Sequence, residues 1–232
     1  MLNSLSVVKK YFYSENRLLN NTKINQRHLI IFTRYPEPGN TKTRLINTLG
    51  PEGAADLQRQ MTEYTLARAK KLVNTSSTSI EVRFNGGNLE LMKAWLGDKL
   101  IYESQGEGDL GNNMGRSLFN AFQNNAQQVL LIGIDCPGLN ADILTQAFDQ
   151  LVNYDLIIGP AVDGGYYLLG LKRYIPELFI NISWGTARVL QQTISKAKRL
   201  GLSQMQLQTL TDIDRPEDLL VWQSYSKVWN TH

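Results

Sequence analysis

The sequence predicts an α/β fold whose central sheet is mostly parallel and covered on both faces. Three observations predict it. Short apolar runs alternate with longer amphipathic stretches along most of the chain. The runs HLIIFTR (28–34), VLLIGID (129–135) and DLIIGPA (155–161) are too uniformly apolar to be strands with one face in water. With 232 residues, the chain is long enough for one large domain with its own core.

Residues 1–27 are rich in Asn, Ser and Lys and read as an N-terminal extension. The remainder, 28–232, reads as a single domain. Its first strand is 28–34, ending in a Pro/Gly loop. GPEGAADLQRQMTEYTLARAKKLV (50–73) is helical, because Leu57, Met61, Tyr64, Leu66 and Ala67 form one broad apolar face. SIEVRFN (79–85) is a second strand, closed by Gly86-Gly87, and 88–97 is a helix stopped by Gly97. A third strand, 99–105, leads through GEGDLG into a helix at about 112–126. The fourth strand is 129–135, followed by a helix at 141–152 and a fifth strand at 155–161. Another strand, 165–172, comes close behind. A helix at 186–201, a strand at 205–210 and a helix at 216–229 complete the order.

Composition narrows the function classes. The net charge is +3, but Lys9, Lys10, Arg17, Lys23 and Arg27 against Glu15 place +4 within 1–27 and leave −1 for the rest. The body therefore lacks the basic balance of a nucleic-acid-binding domain. No apolar run approaches the roughly 20 residues that span a bilayer, and 1–27 lacks the pattern of a secretory signal. Cys136 is the single cysteine, so no intrachain disulfide forms and a reducing compartment, the cytoplasm, is expected. The two histidines, His28 and His232, fall near the edges of the body, which argues against a His-rich zinc site or a Ser-His-Asp hydrolase.

Ligands of such sheets bind outside the carboxyl ends of the strands, so motifs just after strands are the candidates. In FTRYPEPGNTKTRL (32–45), Arg34, Lys42 and Arg44 lie beside Gly39. Three cations there suit a diphosphate, and a solvated basic loop explains them equally well. In GEGDLGNNMG (106–115), Asp109 suits a helix N-cap or a turn that lets backbone approach a ribose. In LLIGIDCPGL (130–139), Asp135 follows an apolar run. A carboxylate near the sheet interior needs a partner, and a divalent cation is one. In LIIGPAVDGGYYLLG (156–170), Asp163-Gly164-Gly165 is either a hairpin turn or a wall of bare backbone facing a ligand, with Tyr166 and Tyr167 on opposite faces. In ISWGTARVL (182–190), Trp184 could cover a sugar or the core, while Ser183 or Thr186 caps the helix. LTDIDRPEDL (210–219) offers Asp212 and Asp214, of which Asp214 precedes a good helix start and either could help hold a metal.

Taken together, FTRYPEPGNTKTRL, QGEGDLG, LIGIDCPGL, GPAVDGGYYLLG, WGT and DIDRPEDL resemble a bacterial glycosyltransferase-like group, known as arsenosugar-biosynthesis glycosyltransferase-like or selenium- and radical-SAM-associated transferases. The resemblance covers about residues 28–220. That group is similar to the nucleotide-diphospho-sugar transferase (GT-A) superfamily and, more distantly, to guanylyltransferases. The chain departs from the group after DLG, where Asn112-Asn113 stands in place of Glu-Arg. The resemblance implies a Rossmann-like three-layer α/β/α sandwich. It makes Asp135 a ligand of Mg²⁺ or Mn²⁺, with Asp214 as the second metal residue selected. Arg34, Lys42 and Arg44 become the phosphate-binding segment, with Gly39 of the same loop a further substrate-binding candidate. Asp109, Gly164, Gly165, Tyr166, Trp184 and Thr186 are the remaining substrate-binding candidates. Asp163 and Lys42 are the catalytic candidates, Asp163 as orienter or base toward an acceptor hydroxyl.

Glycosyl transfer from a nucleoside diphosphate sugar to an undetermined acceptor is the leading expectation. Nucleotidyl transfer from a nucleoside triphosphate to a phosphorylated acceptor is the alternative, and a non-catalytic nucleotide-binding protein is the third. No nucleic-acid partner is expected, and a homodimer is compatible with the chain.

Overall fold

The computed structural model describes residues 26–75 and 77–229. The proposed extension lies outside the described residues except for Gln26 and Arg27, and so does His232.

Seven strands form one sheet among the described residues: β1 (Arg27–Arg34), β2 (Thr78–Asn85), β3 (Ile101–Ser104), β4 (Gln128–Ile132), β5 (Leu156–Pro160), β6 (Tyr166–Leu171) and β7 (Gln204–Gln206). Their order across the sheet is β3-β2-β1-β4-β6-β5-β7. Only β6 is reversed. It pairs antiparallel with both β4 and β5, and the other pairs are parallel. The cause is the short 161–165 connection. Parallel strands need a long crossover, whereas five residues allow only a hairpin-like return.

Among the described residues, six α-helices cover the two faces: α1 (Ile46–Thr75), α2 (Leu89–Leu96), α3 (Leu110–Gln123), α4 (Ala141–Gln150), α5 (Val189–Arg199) and α6 (Leu219–Trp229). One face packs Leu57 and Met61 of α1, Met92 of α2, Phe148 of α4 and Trp222 of α6 against Leu29, Ile31, Val82 and Ile132. The other packs Met114 and Leu118 of α3 and Ala197 of α5 against Ile30, Leu131, Ile158 and Leu169. Alternate residues of β1 and β4 thus serve opposite cores, which explains their unbroken apolar runs. The three-layer α/β/α sandwich with a mostly parallel sheet is as expected.

The boundaries differ in places. The first helix begins at Ile46 and kinks at Gly50 (φ 72°), with Pro51 starting the longer segment. The strand expected at 205–210 is short, and the chain touches β5's continuation again only through the Ala161–Leu210 bridge. His28 opens β1 yet is fully buried, so it is not at the edge of the body. Among the described residues, no helix is long and apolar enough to cross a membrane.

Candidate active site

Because six strands share one direction, the segments that follow them collect on one edge of the sheet. A cavity of about 610 Å³ opens there. It is lined by Arg34, Lys42 and Arg44 after β1, Asp135 and Cys136 after β4, Asp163, Gly165 and Tyr166 around the β5–β6 turn, Thr186 before α5, and Asp212 and Asp214 after β7. The candidate motifs, scattered through 180 residues of sequence from Arg34 to Asp214, therefore converge.

Lys42 is held in an unusual way. Its backbone is left-handed (φ 46°, ψ 44°), which is uncommon for a residue with a side chain. Its side chain is only 5% exposed, and its ammonium donates to Asp135 Oδ1 at 2.6 Å and to the carbonyl of Ile213. Arg44 forms the parallel pair with Asp214. Two cations of one loop thus each hold a carboxylate from a different strand end.

Asp135 corrects an expectation. β4 ends at Ile132, and Gly133 with buried Ile134 carries the chain beyond the sheet. The Asp135 side chain is 54% exposed and faces the cavity, so desolvation is not what demands a partner for it.

Asp163 sits in the β5–β6 turn, where its Oδ1 accepts from Gly165 N at 2.7 Å. The turn interpretation therefore holds, and Asp163 and Gly165 line the cavity as well. Asp212 is half-buried, and its carboxyl is held above the usual aspartate range. Burial is the main cause, and the charge of Asp163 is the next, with Asp218 and Asp135 adding to it. Negative charge at this end of the cavity is thus in excess. Burial, with Asp135, Asp212 and Asp163 nearby, also pushes up the Cys136 thiol, which makes it a poor nucleophile.

Four selected residues do not line the cavity. Gly39 (φ 81°) turns the cationic loop. Asp109 caps α3, accepting from Asn112 N at 2.8 Å. Gly164 (φ 88°) packs its Cα against the backbone of Ala187, where a side chain would collide. Trp184 lies over Gly111 of α3 in the same close manner and so covers the helix. Thr186 does line the cavity, and its hydroxyl donates to Ser183 O at 2.8 Å.

Gln58 and Gln105 also line the cavity, and sequence reasoning did not select them. A signal for Gln58 existed, since it is a polar residue on the buried stripe of α1 between Ala54 and Met61. Gln105 follows β3 directly, which is the same position relative to its strand that drew attention to the other motifs.

Donor chemistry bears on a metal. Asp135, Asp163, Asp212 and Asp214 offer only oxygens, as hard cations such as Mg²⁺ or Mn²⁺ require. Among the described residues, no three His, Cys, Asp or Glu side chains form a ready cage. A metal would need ligand oxygens to complete its shell, and that fits an ion carried with phosphates.

Comparison with known proteins matches this picture. No curated protein matches the chain. A crystal structure from Desulfovibrio desulfuricans G20, under the provisional name nucleotide-diphospho-sugar transferase, is 34% identical over 83% of this chain and 84% of that one, with a TM-score of 0.78. The inositol-1-phosphate CTP transferase of T. maritima shares the fold at a TM-score of 0.56 and 15% identity, over 89% of this chain and 97% of that one. The 4-diphosphocytidyl-2C-methyl-D-erythritol synthase of Anaerococcus prevotii DSM 20548 does so at 0.58 and 10%, over 88% and 100%. The fold is therefore that of the nucleotide-diphospho-sugar (GT-A-like) transferases. Residues 65–186 match the family described as uncharacterized protein conserved in bacteria (DUF2064), and the chain belongs to that family.

Proposed function

We propose that this protein is a transferase that takes a nucleoside diphosphate sugar and moves its glycosyl group to an acceptor hydroxyl, with Mg²⁺ or Mn²⁺ in the site. One observation carries the proposal: three cations from a single loop face four carboxylates from other strand ends across one cavity. The side-chain charge of the lining is thus −1, and a divalent ion would make it +1. A diphosphate ester suits that balance. A triphosphate together with a phosphorylated acceptor would bring much more negative charge. The 34% identical relative from Desulfovibrio desulfuricans supports the same substrate class by its name.

In this reading Lys42 and Arg44 exchange Asp135 and Asp214 for the diphosphate and neutralise it as it leaves. Arg34, exposed at the end of β1, adds charge from the same loop. Asp135 and Asp212 would hold the metal, with Asp214 joining when Arg44 releases it. The ion would supply further charge for the departing phosphate oxygens. Asp163 keeps one oxygen on Gly165 N, and the other takes the proton of the acceptor hydroxyl. The sugar–phosphate bond breaks, the acceptor oxygen bonds to the same carbon, and the diphosphate departs with the electron pair. Gly165, Tyr166 and Thr186 line the acceptor side. Cys136, a buried free thiol, fits a reducing cytoplasmic setting.

Nucleotidyl transfer is the second reading, and the cationic loop directly after β1 favours it, since Lys42 and Arg44 offer countercharge that a triphosphate could use. Thermal-shift measurements separate the two. UDP-, GDP- and ADP-sugars and the four nucleoside triphosphates are compared with and without Mn²⁺. Stabilisation by a nucleoside diphosphate sugar only with Mn²⁺ is expected. Stabilisation by a triphosphate, with pyrophosphate released, would move the assignment to the second reading. No shift with any of them would sink both.

A further inference from the structure

Gln58 and Gln105 are 4% and 8% exposed, line the cavity, and have used both amide hydrogens elsewhere. Gln105 Nε2 donates to the carbonyls of Thr33 at 3.0 Å and Arg83 at 3.1 Å, bridging the ends of β1 and β2. Both partners can only accept, so the amide nitrogen must face them and the amide oxygen must face away.

For Gln58 the same conclusion comes through a chain of hydroxyls. Thr62 Oγ1 donates to the backbone carbonyl of Gln58 at 2.8 Å, which spends its one hydrogen. Thr33 Oγ1 spends its own hydrogen on Thr62 Oγ1 at 2.7 Å or on Arg34 O at 3.4 Å. Thr33 Oγ1 is left to accept from Gln58 Nε2 at 3.1 Å, and the second amide hydrogen goes to Arg34 O at 3.3 Å. Neither amide oxygen has a hydrogen-bond partner among the described residues, and both residues line the cavity. Two acceptors are thus locked in place around Thr33, one residue before the cationic loop. They lie on the β2–β1 side of that loop, and Asp163 and Asp212 lie on the β6 and β7 side.

We infer that Gln58 and Gln105 determine the base specificity of this protein, their oxygens accepting hydrogens from the exocyclic amine of a nucleobase. The inference rests on the transferase reading above. If phosphates lie at the cationic loop and the transferred group lies toward Asp163, the nucleoside lies toward Thr33. Two fixed oxygens there accept both hydrogens of an amine, take only one from a single ring N–H, and repel a carbonyl. Guanine, cytosine and adenine carry an amine. Uracil and hypoxanthine lack an exocyclic amine and offer a single ring N–H each.

The test is equilibrium binding of GDP, CDP, ADP, IDP and UDP to the full chain with Mn²⁺, by isothermal titration calorimetry. The three amine-bearing nucleotides should each bind roughly tenfold tighter than UDP and IDP, the effect of leaving one buried acceptor without its hydrogen. Gln58→Met and Gln105→Met should each narrow that gap, chiefly by weakening the amine-bearing three. UDP or IDP binding as tightly as GDP, CDP and ADP overturns the assignment alone, whether or not the variants fold. An equal loss for all five nucleotides in a folded variant also overturns it, because it points to a sugar hydroxyl at this place. Binding of no nucleoside diphosphate at all sinks the transferase reading and this inference with it.

Discussion

Two clusters of charge sit on the same sheet, and they are built on opposite terms. His28, Glu81 and Arg83 lie on β1 and β2 with side chains no more than 4% exposed. His28 Nε2 is 2.9 Å from Glu81 Oε2 and Nδ1 is 2.8 Å from Ser79 Oγ. Arg83 donates to Glu81 and to Ser104 O. Every charged group there has a partner within the sheet. At the carboxyl edge, Lys42 and Arg44 satisfy Asp135 and Asp214, and Asp163 and Asp212 repel one another inside an open cavity. A closed, balanced cluster belongs to the fold. An open cluster with surplus charge is suited to a ligand that supplies the missing countercharge.

The sharpest way to break this comparison is to remove the same chemical group from each side. Glu81→Ala leaves Arg83 buried without its counter-ion, which should cost about 3 kcal/mol or more in urea unfolding at pH 7. The pH dependence has a definite sign. Burial pushes the Glu81 carboxyl up, but the His28 hydrogen bond and the Arg83 charge outweigh it and hold the carboxyl below its ordinary range. Its contribution is therefore complete above the unfolded value, about 4, and is lost as pH falls through the lower folded value. The gap between variant and wild type should shrink only in acid. A gap below about 1 kcal/mol at pH 7 would show that the cluster is not structural.

Asp135→Ala should do the reverse. Asp135 is 54% exposed, and Lys42, though only 5% exposed, keeps the Ile213 carbonyl, so the loss of Asp135 should cost less stability than the loss of Glu81. Stabilisation by a nucleotide sugar with Mn²⁺ should disappear in a thermal shift, with the melting temperature of the free protein lowered by less than in Glu81→Ala. A large loss of unfolding stability with ligand response intact would reverse the roles of the two clusters.

How much of this contrast the sequence revealed depends on the range of the interaction. The layers were legible because alternate residues of 28–34 and 129–132 must fill two cores, and such runs have few other uses. The positions of Arg34, Lys42, Asp135 and Asp163 after strands were legible for a similar reason, because parallel strand ends share an edge. Pairings were not legible. Lys42 and Asp135 are 93 residues apart, and Arg44 and Asp214 are 170 apart. His28 looked peripheral because Ser79 and Glu81, the side chains that receive it, belong to another strand. Trp184 and Gly164 looked like ligand surfaces because sequence does not show that Gly111 and Ala187 already occupy them. Gln58 was missed because the apolar face around it reads as core, although a polar residue on that face was itself the signal.

The smallest expected effect tests whether the open cluster stores repulsion. The Asp212 carboxyl is raised by burial and then by Asp163, Asp218 and Asp135, so at neutral pH its ionised form is unfavourable in the folded protein. For a raised acid, stability is greatest below the unfolded value and declines as pH rises through the folded one. Asp212→Asn removes the ionisation. At pH 7 it should raise the melting temperature by about 1 to 3 °C, and the gain should fade as pH falls through the folded value. Mn²⁺-dependent nucleotide binding should weaken in the same variant, because the repulsion exists where the ligand brings countercharge. If Asp163→Asn is made first, Asp163 no longer repels Asp212, and the further Asp212→Asn change should add less. Equal gains in both backgrounds would mean that Asp163 has no part in raising Asp212 and that the two carboxylates do not act as one site.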